Sequence, residues 1–287
     1  MARSGDHPRG RAGVPALEAL SRAIRRGFLA LLGLAGFACV APVQNAVGPA
    51  PPAPITFVVV TWNMHAGTGD LPRLVADLAG GRLTGTPPAG YGLLLQEAVT
   101  GSSDVLASVA RDRHLSLTYE PVRSTPAGTS GNAILTTIPV TSTRVIQLPR
   151  ERQVRLALAA TVVVAGIDLF LVNAHLENRV SLWHGLLFSD GARGRQATAL
   201  LAQLPDGPGI AGGDLNTWLG PSEPAWQAFA ARFPDTPAGR PTPTFRDRLV
   251  LDHLFFDVPD GWQIARRVLP DSYGSDHHPV LGAITAP

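Results

Sequence analysis

Lysine is absent from this sequence, and cysteine is almost absent. All 24 basic residues are arginine, and the single cysteine is Cys39, which excludes an intramolecular disulfide. Six of the arginines lie in the first 26 residues beside two of the 22 acids, which leaves 18 arginines and 20 acids in the remaining chain. Surfaces that bind nucleic acid show clustered positive charge, so this near-neutral body argues against a broad surface of that kind.

Charged residues are also absent between Arg26 and Asp70. The arginine-bearing N-terminus is followed by the apolar run GFLALLGLAGFACVAPV (27–43), an order that is typical of a secretory signal. A membrane span needs roughly 20 apolar residues, so the run is short for one, although an uncleaved anchor stays open. Cys39 resembles the acylated cysteine of a bacterial lipoprotein signal, and the alternative is a small apolar residue of the leader. We therefore expect an exported protein of bacterial type that is secreted, periplasmic or held at the membrane through the leader or Cys39.

The sequence divides into three parts. Residues 1–43 form the leader, and residues 44–54 are rich in proline, alanine and glycine, which predicts a linker. Residues 55–287 are predicted to form one domain and a monomer. Short apolar strands alternate there with helices, and some strands are linked as hairpins. This pattern predicts an α+β fold, a four-layer α/β/β/α sandwich in which helices flank two packed mixed sheets.

Polar residues repeatedly interrupt or end the apolar strands, where an unpartnered polar group is costly to bury. They are carboxylates, amides and imidazoles. Such groups suit a hard cation with oxygen ligands, Mg²⁺ or Mn²⁺, better than a structural zinc site. If the strand ends align, these groups meet at one rim. The set comprises Asn63, Gln96, Glu97, Asn173, His175, Asp214, Asn216, Asp252, His253, Asp276, His277 and His278.

Six short motifs at these positions resemble those of the endonuclease/exonuclease/phosphatase superfamily. They are TWNMH, LLLQEA, NAHLEN, GGDLN, LDHLFF and SDHHP, and they occur in the family's order over about residues 56–284. Each motif is weak alone, and GGDLN in isolation is more often a turn. Six in order make a specific signal. The family includes deoxyribonucleases, abasic-site endonucleases, sphingomyelinases and inositol-polyphosphate phosphatases.

The resemblance implies a metal site and a catalytic set. Glu97 matches the principal Mg²⁺ ligand, with Asn63 and Asp276 contributing to the same site; the plainer interpretation of Glu97 is a carboxylate at a helix start. Arg155 is a candidate for binding a substrate phosphate, and its alternative is a solvated strand residue.

The catalytic set implied by the resemblance contains five residues. Asp214 orients or deprotonates the attacking water, and Asn216 donates to a phosphoryl oxygen. His277 lies beside the scissile phosphate, and His175 donates to a phosphate oxygen or to the leaving group. Asp252 fixes the tautomer of a catalytic histidine. His253 and His278 are left outside this set.

The resemblance implies metal-dependent hydrolysis of a phosphate ester, with nuclease-like cleavage of a phosphodiester as the leading function. One alternative is a phospholipid or small-molecule phosphoesterase of the sphingomyelinase or phosphatase kind. Another is a catalytically inactive binding module of the same fold. Deoxyribonuclease-type members carry a tyrosine and a glutamate near mid-chain. No clear counterpart of that pair is found here, although Glu151 lies in the right region, which argues against deoxyribonuclease activity proper.

Overall fold

A computed structural model describes residues 54–101, 104–179, 189–235 and 241–287 of the chain. The predicted leader with Cys39, and the predicted linker apart from Pro54, lie outside the described residues. Eleven strands are described: β1 Ile55–Asn63, β2 Gly90–Gly101, β3 Ser116–Thr125, β4 Gly128–Thr136, β5 Val140–Gln147, β6 Leu156–Val164, β7 Ile167–His175, β8 Gly209–Asp214, β9 Asp252–Asp257, β10 Gln263–Val268 and β11 Val280–Ala286. The α-helices are α1 Leu71–Ala79, α2 Val105–Asp112, α3 Asp190–Leu201 and α4 Pro224–Arg232.

The strands form two mixed sheets, as the sequence predicts. One sheet has six strands in the order β10-β11-β1-β2-β4-β3, and the other has five in the order β5-β6-β7-β8-β9. The pairs β1–β2 and β7–β8 are parallel, and the other neighbours are antiparallel. The carboxyl ends of each parallel pair therefore lie at the same edge of their sheet.

Three apolar layers explain why the central strands are apolar on both faces. In β1, Phe57 and Val59 pack between the sheets, whereas Val58 and Val60 pack on the outer face beneath α1 and α2. A strand places successive side chains on opposite faces, so a strand covered on both sides is apolar throughout. A third layer packs α3 and α4 against the outer face of the second sheet and includes Phe229. The predicted α/β/β/α sandwich is confirmed.

A polar link crosses the layer between the two sheets. The Gln96 side chain of β2 donates to Asn173 Oδ1 of β7 at 2.7 Å, and Asn173 Nδ2 donates to the carbonyls of Leu95 and Ala133 at 2.8 Å each. Both side chains are fully buried. Gln96 Oε1 has no partner among the described residues, but the three bonds join both sheets and favour one alignment of their strand ends.

Two elements were not predicted from the sequence, β3 and α4. Strand β3 lies at the edge of its sheet and has no fully buried residue, so its sequence lacks an apolar pattern. Helix α4 has nine residues and a weakly amphipathic sequence. Among the described residues, no helix has the length and apolar character needed to span a membrane.

Candidate active site

The register of the strands brings the sequence-predicted residues to one edge of the sandwich. Asn63 ends β1 opposite Gln96 of β2, and Glu97 follows Gln96 directly. In the other sheet, Asp214 at the end of β8 pairs with His175 on one side and with Asp252 on the other. Because the ends of these strands meet, residues more than 100 positions apart in the chain become neighbours.

A cleft of about 550 Å³ lies over this edge. Asp252 does not line it and lies behind His277. Positions near the cleft depart from ordinary backbone: Glu97 has φ of 53° at a β-bulge of β2, and Asn216 has φ of 52°. Non-glycine residues at positive φ persist where the surrounding structure holds them, often at functional sites. The predicted residues that line the cleft are Asn63, Glu97, Arg155, His175, Asp214, Asn216, Asp276 and His277.

Asp214 is the centre of the polar network. Its Oδ2 accepts a hydrogen bond from Asn63 Nδ2 at 3.0 Å and lies 3.6 Å from His175 Nε2 and 3.9 Å from His277 Nε2. Its Oδ1 accepts from the backbone N–H of Asn216 at 3.0 Å. Burial, followed by the nearby Asp252 carboxylate, raises the pKa of Asp214 to about 7, against the opposing effects of His277 and these hydrogen bonds. A carboxylate with such a pKa is suited to accept a proton near neutral pH.

His277 and Asp252 form a buried pair. His277 Nδ1 lies 2.7 Å from Asp252 Oδ2, so its Nε2 faces Asp214 and the cleft. Burial lowers the pKa of His277, but Asp252, Asp214 and Asp276 outweigh it and raise the pKa to about 10. The ring is therefore protonated at neutral pH and offers an N–H to a negatively charged ligand. The ring also packs against Phe245, with centroids 4.8 Å apart.

His175 differs from His277 in charge. Its pKa lies well below the usual value. The main cause is burial of the ring, and the positive charges of Arg155 and His277 add to it. A neutral ring has one donor and one acceptor nitrogen, so it can donate one hydrogen bond without placing a second positive charge in the cleft.

Arg155 is a buried cation that pairs with no residue in the described part of the chain. Its guanidinium makes no hydrogen bond or ion pair with any residue that the structure describes, and its Nε is fully buried. Burial lowers the pKa of Arg155, and the charges of Glu177, Asp214 and Glu97 partly offset that effect. An arginine stays protonated in proteins, so this buried guanidinium is open to an anion in the cleft.

Three of the predicted residues present oxygen atoms suited to a hard cation. Glu97 lines the cleft, and its Oε2 accepts from the backbone N–H of Ala66 at 2.9 Å, which leaves Oε1 without a hydrogen-bond partner among the described residues. Asn63 Oδ1 accepts from the backbone N–H of His65 at 3.0 Å. Asp276 Oδ2 accepts from Arg246, whereas the buried Oδ1 receives no well-aligned hydrogen bond from any described residue, although His65 Nδ1 lies 2.8 Å away. An all-oxygen set with partly unsatisfied carboxylates fits Mg²⁺ or Mn²⁺.

An acid–histidine group among the described residues is close enough to hold an ion. Atoms of Asp214, Asp252 and His277 lie within 4.8 Å of one another. In this group, however, His277 Nδ1 and Asp252 Oδ2 are in direct hydrogen-bond contact at 2.7 Å, so each of these two atoms already has the other as its partner. We therefore interpret these residues as a hydrogen-bonded network.

Other residues of the cleft were not singled out from the sequence. His65 contacts Asp276 and belongs to the TWNMH motif, so the motif itself was the available signal. Arg123, Asn178 and Trp218 also line the cleft. Nothing in the sequence marks Arg123, because it lies on β3, which was not predicted.

The two histidines left outside the catalytic set lie away from the cleft lining. His278 contacts the Leu269 carbonyl and Asp247, each at 3.0 Å. His253 lies 2.8 Å from Thr217 Oγ1 and is buried. Both histidines have their own protein partners, which fits a structural role for each.

His253 makes stability depend on pH. Burial lowers its pKa from 6.5 to about 4, against the attraction of Asp252. The unfolded chain therefore binds this proton more readily, and stability falls as the pH decreases from about 6.5 to about 4. We expect the unfolding free energy to drop less over this range in His253→Gln than in the parent, by about 3 kcal/mol. Chemical denaturation at several pH values measures this difference. The control is His114→Asn, because His114 is exposed. If the unfolding free energy of His253→Gln drops with pH as much as that of the parent, the assignment is contradicted.

Comparison with known proteins agrees with the fold and with the motifs. The sequence model of the Endonuclease/Exonuclease/phosphatase family matches residues 60–277. No curated protein matches the chain by sequence at a significant level. Among solved structures, the human Nocturnin catalytic domain with a bound sulfate anion is similar over 80% of this chain and 94% of that one, at 21% identity and a TM-score of 0.60.

Two further structures have the same fold. Sphingomyelinase C from Streptomyces griseocarneus matches over 79% of this chain and 99% of that one, with 18% identity and a TM-score of 0.56. Truncated Caenorhabditis elegans TDP2 matches over 80% of this chain and 98% of that one, with 20% identity and a TM-score of 0.52. At these identities the likeness concerns the fold, whereas the family is established by the match over residues 60–277. The chain belongs to the endonuclease/exonuclease/phosphatase family.

Proposed function

We propose that this chain is an exported, metal-dependent phosphoesterase that hydrolyses a phosphodiester by attack of water on phosphorus. The observation that carries the proposal is the buried network around Asp214. A carboxylate with a pKa of about 7 lies within 4 Å of a neutral and a protonated histidine in one cleft. Purely structural ion pairs have no need of groups whose pKa values are shifted in opposite directions beside an open cleft.

In this proposal each residue acts at a stated atom. Asp214 Oδ2 accepts the proton of the attacking water, while Asn63 Nδ2 holds that oxygen in place. Protonated His277 donates from Nε2 to a phosphoryl oxygen, and Asp252 keeps the ring oriented through Nδ1. His175, being neutral, donates one hydrogen bond to a second oxygen or to the leaving group.

Asn216 assists through its backbone more directly than the sequence suggested. Its N–H fixes Asp214 Oδ1, and its side-chain Nδ2 donates to the Leu176 carbonyl at 3.2 Å. The amide nitrogen carries two N–H donors, so its second N–H is available to a phosphoryl oxygen while the first holds the Leu176 carbonyl. The proposal retains Asn216 as a site residue on the ground that it lines the cleft.

A divalent ion, Mg²⁺ or Mn²⁺, held by Glu97, Asn63 and Asp276 would neutralise charge on the phosphoryl oxygens. Arg155 supplies a second positive group for the phosphate, since it lines the cleft and has no partner among the described residues. The sulfate bound to the similar Nocturnin domain supports an anion site on this fold. Preorganised donors of this kind stabilise charge that develops in the transition state.

The substrate class rests on the cleft and on the relatives. A phosphodiester of nucleic acid remains the leading candidate, and the near-neutral body favours a compact site with few phosphate contacts. A phospholipid head group is the second candidate, favoured by the similar sphingomyelinase C and by the 46% exposed Leu219 next to Trp218 at the cleft. An inactive binding module is disfavoured, because all of the implied catalytic residues are present.

One experiment separates these candidates. The purified full chain is incubated with plasmid DNA, RNA, sphingomyelin, inositol phosphates and a chromogenic phosphodiester, with Mg²⁺, with Mn²⁺ and with a chelator. We expect hydrolysis that the chelator abolishes and that either ion restores. Cleavage of nucleic acid alone supports the nuclease-like function, and cleavage of sphingomyelin alone supports the second candidate. Absence of chelator-sensitive turnover on every substrate favours the binding module.

Glu97 provides a direct test of the metal site. We expect Glu97→Gln to raise the Mg²⁺ concentration needed for half-maximal activity by at least ~10-fold, because one charged ligand becomes neutral. Glu120→Gln is the matched control, since Glu120 lies on β3 and does not line the cleft. Equal metal requirements in both variants would place the ion elsewhere.

Export is proposed from the leader alone. A fusion of residues 1–54 to a reporter, expressed in bacteria and fractionated, measures whether this segment directs export. Replacement of Cys39 by Ser in the same fusion measures whether membrane association depends on that thiol. A reporter that remains in the cytoplasm would contradict the proposal.

A further inference from the structure

The buried Arg155 depends on a loop for its position. It lies directly before β6, at the end of residues 148–155, which connect β5 to β6 and include three turn or bend residues at 151–153. Its own side chain has no partner among the described residues that would hold it in the cleft. The backbone that precedes it must therefore be held by other groups.

Glu177 holds that backbone. Its side chain is fully buried, and its Oε2 accepts hydrogen bonds from the backbone N–H groups of Arg152 at 3.1 Å and Gln153 at 2.8 Å. Its Oε1 accepts from the backbone N–H of Asn178 at 3.1 Å. Hydrogen bonds to an ionised acceptor are about twice as strong as neutral ones, so this carboxylate is a firm anchor for the loop.

Gln196 of α3 completes the anchor from the other side. Its Oε1 accepts from the backbone N–H of Glu177 at 2.8 Å, and its Nε2 donates to the Pro149 carbonyl at 3.0 Å. The loop is thus held at Pro149, Arg152 and Gln153 by two buried side chains from elements of the second sheet and its covering helix. Glu177 lies two residues after His175, so the same segment sets both groups.

The charge of Glu177 also acts on Arg155. In the described part of the chain its carboxylate forms no ion pair within 4.0 Å, and its hydrogen bonds there all come from backbone N–H groups. Glu177 is the largest of the attractive charges that offset the effect of burial on the Arg155 guanidinium. A buried carboxylate and a buried guanidinium that do not touch each other leave the guanidinium free to bind a third, anionic group.

We propose that Glu177 is a positioning residue that acts through Arg155: it holds the 148–155 loop and balances the charge of the guanidinium, so that Arg155 meets the substrate phosphate. This inference rests on the proposed function in one respect, namely that Arg155 binds the phosphate. Glu177 itself does not line the cleft and touches no substrate.

A double-mutant cycle tests the inference. Arg155→Gln, Glu177→Gln and the double variant are compared for kcat and KM, and for inhibition by inorganic phosphate. We expect Arg155→Gln to lower kcat/KM by about 10²–10³-fold and Glu177→Gln by about tenfold. The double variant is expected to match Arg155→Gln within about threefold, because Glu177 has nothing left to position. If the losses in kcat/KM of the two single variants multiply in the double variant, the inference is overturned.

Glu223 provides the matched control. Like Glu177, Glu223 is a buried carboxylate, and it accepts a hydrogen bond from the backbone N–H of Leu219 at 2.9 Å. Unlike Glu177, it forms an ion pair with Arg193 and does not contact the 148–155 loop. Glu223→Gln is expected to have the same effect whether Arg155 is present or replaced. If the Arg155–Glu223 cycle is as strongly non-additive as the Arg155–Glu177 cycle, the coupling reflects a general loss of structure, and the inference is overturned.

A measurement that needs no turnover separates this inference from the proposed function. Hydrogen exchange of the backbone amides of Arg152 and Gln153 is expected to accelerate in Glu177→Gln and to stay unchanged in Arg155→Gln. Calorimetric binding of inorganic phosphate is expected to weaken in both. Should the parent protein hydrolyse no phosphate ester, these two results would still support the positioning role. Unchanged exchange in Glu177→Gln would overturn it.

Discussion

Replacing Asp214 by alanine is expected to lower kcat by about 10³–10⁴-fold while the protein remains folded, the combined loss of a general base and of an organised hydrogen-bond network. Asp214 Oδ2 accepts a hydrogen bond from Asn63 and lies 3.6 Å from His175 Nε2 and 3.9 Å from His277 Nε2, so the substitution removes the carboxylate at the centre of the network. Asp214→Asn separates the two roles, because the amide keeps the shape of the site but cannot accept the proton of water. Steady-state kinetics on the substrate identified above measures both variants.

The control for this experiment is Asp168→Ala. Asp168 lies at the exposed beginning of β7, whose far end carries His175. We expect its turnover to equal that of the parent. Thermal unfolding and circular dichroism show whether the Asp214 variants are folded. Folded Asp214→Asn with turnover near that of the parent would remove Asp214 from the mechanism.

Replacing His277 by alanine is expected to lower kcat by about 10²–10³-fold, the usual loss when one preorganised donor is removed. The variant also leaves Asp252 buried without its partner, since Asp252 Oδ2 bonds the ring and Oδ1 has no partner among the described residues. A loss of stability is therefore expected with the loss of activity. Asp252→Asn is expected to have a smaller kinetic effect, because it perturbs the orientation and charge of the ring without removing it.

The neighbouring His278→Ala is the matched control for His277→Ala. His278 follows His277 in the chain but contacts the Leu269 carbonyl and Asp247 and does not line the cleft. We expect turnover near that of the parent and a modest loss of stability. Equal kinetic losses at the two histidines would indicate that damage to the β10–β11 connection, and not loss of a donor, explains the effect.

The sequence predicted the fold where burial imposes a pattern. The central strands β1, β2, β7 and β8 are covered on both faces, so their apolar runs are unambiguous. The missed elements are β3 and α4. Strand β3 lies at a sheet edge with half-exposed residues and contains Pro121, so it has no pattern for a sequence to display. Helix α4 has only nine residues, and its apolar residues are not concentrated on one face, so neither its length nor an apolar period marks it as a helix.

The candidate site was predicted as a set of residues, without its network. The motifs named Asp214 and His277, and the cleft contains both. The motifs did not indicate that His65 contacts Asp276, nor that Glu177 holds the loop before Arg155. Contacts of that kind join residues tens to hundreds of positions apart. They depend on side-chain direction at strand ends, which no local pattern encodes.

By itself the sequence determined the layer architecture and the residue types at the strand ends, because burial forces apolar alternation and makes each isolated polar residue costly enough to be noticed. Only the tertiary structure decided their protonation and their partners. The same residue type, histidine, has opposite shifts at two positions: burial and then the charge of Arg155 lower the pKa of His175, whereas contact with Asp252 outweighs burial and raises the pKa of His277. Distance and burial set that difference, and both exist only once the two sheets are packed.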